Sequence, residues 1–120
     1  MTEAVGNLAG ARRTVQRVIK IANRQGRAAP APAWMEEASE ECTVKEAGSM
    51  VQRWLASVFG EDELSIKIRL FNAIIDATFA ADGGDAVAIH IASAAGADLE
   101  MVGNKGITPL MQTTDVGQVQ

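Results

Sequence analysis

GDAVAIHIASAAGADLEMVGNKGITPLMQTTDVG, residues Gly84 to Gly117, is the stretch that decides the fold. Its first half predicts a short apolar helix from Asp85 to Ala95, ended by Gly96, which can take the left-handed conformation of a helix exit. A polar turn centred on Gly103-Asn104-Lys105-Gly106 follows, and a second helix starts at Thr108-Pro109-Leu110. Thr108 suits the N-cap, and Pro109 suits the first helical position, where its φ is preset and its missing N–H is not needed. Gly84 and Gly117 lie 33 residues apart, each two positions after an aspartate, Asp82 and Asp115. Helix, exit, tight turn and helix at this period read as a repeat module.

From Ala80 to Gly117 the chain resembles the ankyrin repeat in continuous register. Ala80-Ala81 followed by Gly84 matches the end of that family's first helix, and Val87 to Ala95 lies where its second helix lies. Gly96-Ala97-Asp98-Leu99 matches its exit, and Gly106-Ile107-Thr108-Pro109-Leu110 its passage from hairpin to helix, with Met111 in place of the signature histidine. The resemblance implies stacked helix-turn-helix units and a protein partner. That partner would be contacted by the turn tip, Gly103, Asn104 and Lys105, and by the outer side of the last helix, Met111 and Gln112. The last unit's second helix would fall beyond Gln120, so its open end, with Leu110, Met111, Val116 and Val119, is expected to need a cover. A partner, a second copy, or the N-terminal helix folded back through Val15 and Ile19 would serve.

Composition agrees with helices. Of 120 residues 48% are hydrophobic, yet only two Trp, three Phe and no Tyr occur while alanine is plentiful, which favours close helix interfaces over sheet. The expectation is an all-α single domain. No apolar run reaches the ~18 residues of a membrane span, and MTEAVGNLAGARR lacks the order of a signal peptide, so a cytoplasmic location is expected. One cysteine, Cys42, and one histidine, His90, exclude an intramolecular disulfide and a Cys/His metal cluster.

The net charge of −4 conceals an asymmetry. Residues 1–33 sum to +5 and residues 34–66 to −6. In the first segment Arg13, Arg17, Lys20, Arg24 and Arg27 recur at spacings of four and three, within roughly 80° of one another on a helix. Leu8, Val15, Val18, Ile19 and Ala22 occupy the other side. The stripe reads as a solvated outer face, or as a contact for nucleic-acid phosphate or an acidic protein partner. The basic and acidic segments are expected either to touch within the fold or to form a bipartite surface.

Residues 1–27 are thus expected to be a basic amphipathic helix, 28–33 an Ala/Pro connector that breaks it, and 34–120 a helical body. Pro30 and Pro32 fix their own φ and bias their predecessors away from helix, making the connector a candidate hinge. Trp34 to Glu41 reads as a short acidic helical turn. Thr43-Val44-Lys45-Glu46 has the capping-box pattern and opens a helix with Val44, Ala47, Val51, Trp54, Leu55 and Val58 on its core face, closed by Gly60. Asp62 or Glu61 caps a third helix, with Leu64, Ile68, Phe71, Ile75 and Phe79 on one side expected to be core. The alternation Ile66-Lys67-Ile68-Arg69-Leu70 leaves a strand open as the alternative. Residues 44–81 would then be a cap-like helical pair against which the Asp85–Ala95 helix stacks.

Chemistry-bearing constellations are few. His90 falls where the ankyrin pattern has a solvent-facing polar residue and reads as structural or surface. Cys42 stands among Glu40, Glu41 and Glu46, whose charge raises a thiol's pKa, and reads as inert. Glu36, Glu37, Glu40 and Glu41 lack the loop that Ca²⁺ favours and read as a solvated face. Trp54 reads as core, and Trp34 as either a pin for the connector or an interface anchor. No catalytic residue, metal or cofactor is expected. The chain is read as a protein–protein recognition module or adaptor. Two alternatives are a structural subunit of a multi-copy assembly such as a virus particle, and a nucleic-acid-binding accessory protein using the arginine stripe.

Overall fold

Three of the helices begin where a neighbouring side chain receives one of their first amides. The computed structural model describes residues 6–37, 40–80 and 84–98. Among them five helices follow one another: α1 (Asn7–Arg24), α2 (Trp34–Glu37), α3 (Val44–Phe59), α4 (Glu63–Thr78) and α5 (Ala86–Ala94). No strand occurs among the described residues, and the fold is all-α. The alternation at 66–70 is therefore helical. Gly103, Asn104, Lys105, Met111 and Gln112, with the second helix start at Thr108, lie outside the described residues.

The capping box forms as spelled. The Glu46 N–H donates to Thr43 Oγ1 (3.1 Å), and the Thr43 N–H donates to Glu46 Oε1 (2.9 Å). Asp62 receives the Ser65 N–H and opens α4, and Asp85 receives the Ala88 N–H and opens α5. α1 has no cap of its own, because Gly6 precedes it. Glu41 supplies one from 35 positions away, taking the Gly6 N–H on Oε2 (2.9 Å) and the Leu8 N–H on Oε1 (2.7 Å). These amides, the Cys42 N–H and the nearby Arg12 hold the Glu41 carboxyl below its usual range, with the Leu8 bond the largest cause.

The shortest of the long elements, α5, packs against α1, α3 and α4 together. Its sequence, AVAIHIASA, is almost uniformly apolar and small, as a helix wrapped on several sides must be. Contact is closest at two glycines. A Cβ on Gly48 of α3 would stand 2.6 Å from the carbonyl carbon and the Cβ of Ala94, and one on Gly10 of α1 would stand 2.6 Å from Val87 Cγ1. Around this axis Val15, Val18, Val51, Leu55, Leu70, Ile74 and Ile91 are buried. Trp54 is core, and its indole N–H donates to the Pro30 carbonyl (2.9 Å), so Trp54 fastens the connector. Trp34 is half-buried against the same core.

α4 departs from expectation. Its buried face is Ile66, Leu70, Ala73, Ile74 and Ala77, whereas Leu64, Ile68 and Phe79 are exposed and Phe71 and Ile75 only half-buried. Both faces carry apolar residues at helical spacing. The inward one is the one whose alanines allow α5 to approach.

Candidate interaction surface

The sequence-predicted stripe on α1 meets carboxylates of α4 and of the α5 cap. Arg13 grips Asp85 with two parallel bonds, Nε to Oδ2 (2.6 Å) and Nη2 to Oδ1 (3.0 Å). One turn on, Arg17 donates from Nη1 to Asp85 (3.0 Å) and from Nε to Asp76 (3.1 Å), and Lys20 reaches Asp76 at 3.4 Å. The Asp85 carboxyl is lowered to about 2, first by the Arg13 bond and further by the Ala88 amide and Arg17, against the opposing effect of burial. The same bond raises the Arg13 guanidinium.

The stripe therefore is not a purely solvated face: the Arg17 side chain is only 15% exposed. Nor are its partners drawn from the acidic segment 34–66. Asp76 and Asp85 lie beyond that segment and receive the cations because α1 runs alongside α4 and the start of α5. The two oppositely charged segments do touch, but through hydrogen bonds such as the Glu41 cap and the Arg12 Nε–H donating to the Met35 carbonyl (2.9 Å). The C-terminal end of the stripe differs. Arg24 is exposed, with no ion pair among the described residues. Arg27 donates to the Val58 carbonyl (3.2 Å) and lies 4.9 Å from the Phe59 ring centre.

The outward row of α4 runs beside this stripe. Leu64 is 59% exposed, Ile68 44% and Phe79 48%. Near the start of α4, a groove of about 240 Å³ opens towards α1, with Val18, Ile21, Leu64 and Ile68 as apolar walls and Asp62 and Arg69 among its polar groups. Arg69 lies 3.7 Å from the centre of the Phe59 ring that Arg27 also approaches, and Phe59 is held edge-on to Trp54. The Arg69 Nε is buried without a hydrogen-bond partner among the described residues. Burial first, and then the positive charge of Arg27, lower the Arg69 guanidinium.

The other candidates sit apart from this surface. His90 is exposed on α5, in line with Ala86 and Ala94. Cys42 is half-buried, and burial first, then Glu41 and Glu46, raise its thiol. Among the described residues no group of three His, Cys, Asp or Glu side chains gathers as for a metal ion, and no helix is long and apolar enough to cross a membrane. Sequence reading missed Asp76, Asp85 and Arg69. The first two could have been sought as carboxylates nine residues apart flanking a glycine turn, and Arg69 as a cation set between Ile68 and Leu70.

No protein-family model, curated protein or solved structure matches the chain.

Proposed function

We propose that the protein is a non-catalytic recognition module, ankyrin-like over residues 80–117, that binds a protein partner. The observation that carries this reading is the outward row of α4, in which Leu64, Ile68 and Phe79 face solvent along one side of a helix whose other side is core. Asp76 and Asp85, the carboxylates brought together beside it, are each gripped by arginine, an arrangement that fixes helices rather than exchanging protons. The same ion pairs favour a protein over a phosphate backbone, since they occupy Arg13, Arg17 and Lys20, cations that phosphate contacts would need.

A photoreactive amino acid placed at position 68, 64 or 79 of the chain in its native cells tests this. A discrete adduct with another protein at these positions, and none from the exposed Gln52 of α3, is the expected result. A species of twice the chain's mass would instead favour the multi-copy subunit. Equal labelling from Gln52, or no adduct, would refute the recognition reading.

A further inference from the structure

Building on the recognition role above, we propose that the groove between the C-terminal half of α1 and the first half of α4 receives an acidic amphipathic segment of the partner. Its apolar side chains would lie on Ile21, Leu64 and Ile68, and a carboxylate on Arg69.

Charge complementarity selects this occupant. The chain as a whole is acidic, but this end of the bundle gathers Arg24, Arg27 and Arg69, none of which is ion-paired to a carboxylate among the described residues. Elsewhere on α1 the cations are matched: Arg13, Arg17 and Lys20 have Asp76 and Asp85. Two of the unmatched guanidiniums crowd one ring, Phe59, and repel each other. The one lining the groove, Arg69, has its Nε–H enclosed without an acceptor among the described residues, so a carboxylate in the groove would meet the guanidinium at its open end, where partial desolvation strengthens the bond. Asp62, the carboxylate of the groove, is turned to the start of α4, where it receives the Ser65 N–H and faces the positive end of the helix. The walls beside Arg69 are Leu64 and Ile68, one helical turn apart, which suits apolar side chains spaced one turn apart on a partner helix.

The test uses the full chain and a fluorescein-labelled helical peptide of about 14 residues, with Leu at i and i+4 and Glu on the flanks, beside a control in which every Glu is Lys. Fluorescence anisotropy should show the Glu peptide binding with an affinity that falls several-fold between low and physiological salt, and the Lys peptide not binding. Leu64→Asp should weaken binding by about tenfold or more. Arg69→Gln should weaken it by a similar factor. Arg24→Glu, at an exposed position outside the internal ion pairs, should also weaken it while circular dichroism and the melting temperature stay unchanged, so a misfolded Arg69 variant would not decide the matter.

Equal binding of both peptides, lost together in Ile68→Glu, would overturn the acidic partner but leave the recognition surface standing. Binding of neither would overturn the inference. It would take the function with it only if cellular crosslinking at position 68 also fails. Crosslinking of the purified chain from position 64 identifies the rival occupants. An internally closed monomer assigns the groove to residues 99–120, and a doubled mass assigns it to a second copy; either result overturns the proposal.

Discussion

The two faces of α4 are equally apolar in sequence and have opposite fates. One, with Leu70, Ala73, Ile74 and Ala77, disappears beneath α1, α3 and α5; the other, with Leu64, Ile68 and Phe79, stays at the surface. Size separates them more than hydrophobicity. The inward face alternates large residues with alanines, which lets the alanine-rich α5 nest against it, while every member of the outward row is leucine-sized or larger. Hydrophobic pattern pointed to the Leu64 side as core, and close packing chose the opposite one.

The two faces should differ most at Leu70, which is fully buried. Leu70→Ala should cost about 2–5 kcal/mol in urea unfolding, whereas the same truncation in the outward row should not. If the rule is that α5 demands small neighbours, Gly48→Ala on α3 should be next. Its new methyl meets the backbone of Ala94, which cannot swing aside, so a loss of about 1–3 kcal/mol is expected, read from the same unfolding curves.

The ionic seam beside α4 should show itself in acid. Asp85, with a folded pKa of about 2 against an ordinary 3.8, contributes stability that is complete above pH 4 and disappears as pH falls towards 2. Glu41, also lowered, acts in the same direction. The melting temperature should therefore fall between pH 5 and pH 2, and fall less in Asp85→Asn, which keeps the cap but has no charge to lose. That difference should correspond to about 1–2 kcal/mol. The smallest effect belongs to the open row: Leu64→Ser should change stability by no more than about 0.5 kcal/mol while removing the crosslink from the neighbouring position 68.

Local signals in the sequence carried far. Thr43 and Glu46 spelled the start of α3, Asp62 that of α4, and Gly96, at φ 116°, ends α5 as read. The helical period of residues 7–24 and 44–59 identified Val15, Val18, Val51 and Leu55 as core. What was not legible depends on distance along the chain. Nothing near Arg13 announces that Asp85, 72 positions on, will receive it, and nothing near Leu64 says whether the interior will have room for its side or the opposite one. The proposed interaction surface is a product of those two long-range choices. Only its arginine stripe could be seen beforehand, and most of its charge is spoken for within the fold.

The cap that Glu41 provides to α1 ties the beginning of the chain to a residue well past the prolines. The first turn of α1 cannot complete its hydrogen bonds during synthesis until residue 41 has emerged, and afterwards it should not loosen without displacing the segment ahead of α3. Trp54 thus fastens the connector at Pro30 while Glu41 fastens the start of α1, and the exchange of the Leu8 amide with deuterium should follow the opening of the whole bundle and not the fraying of a terminus.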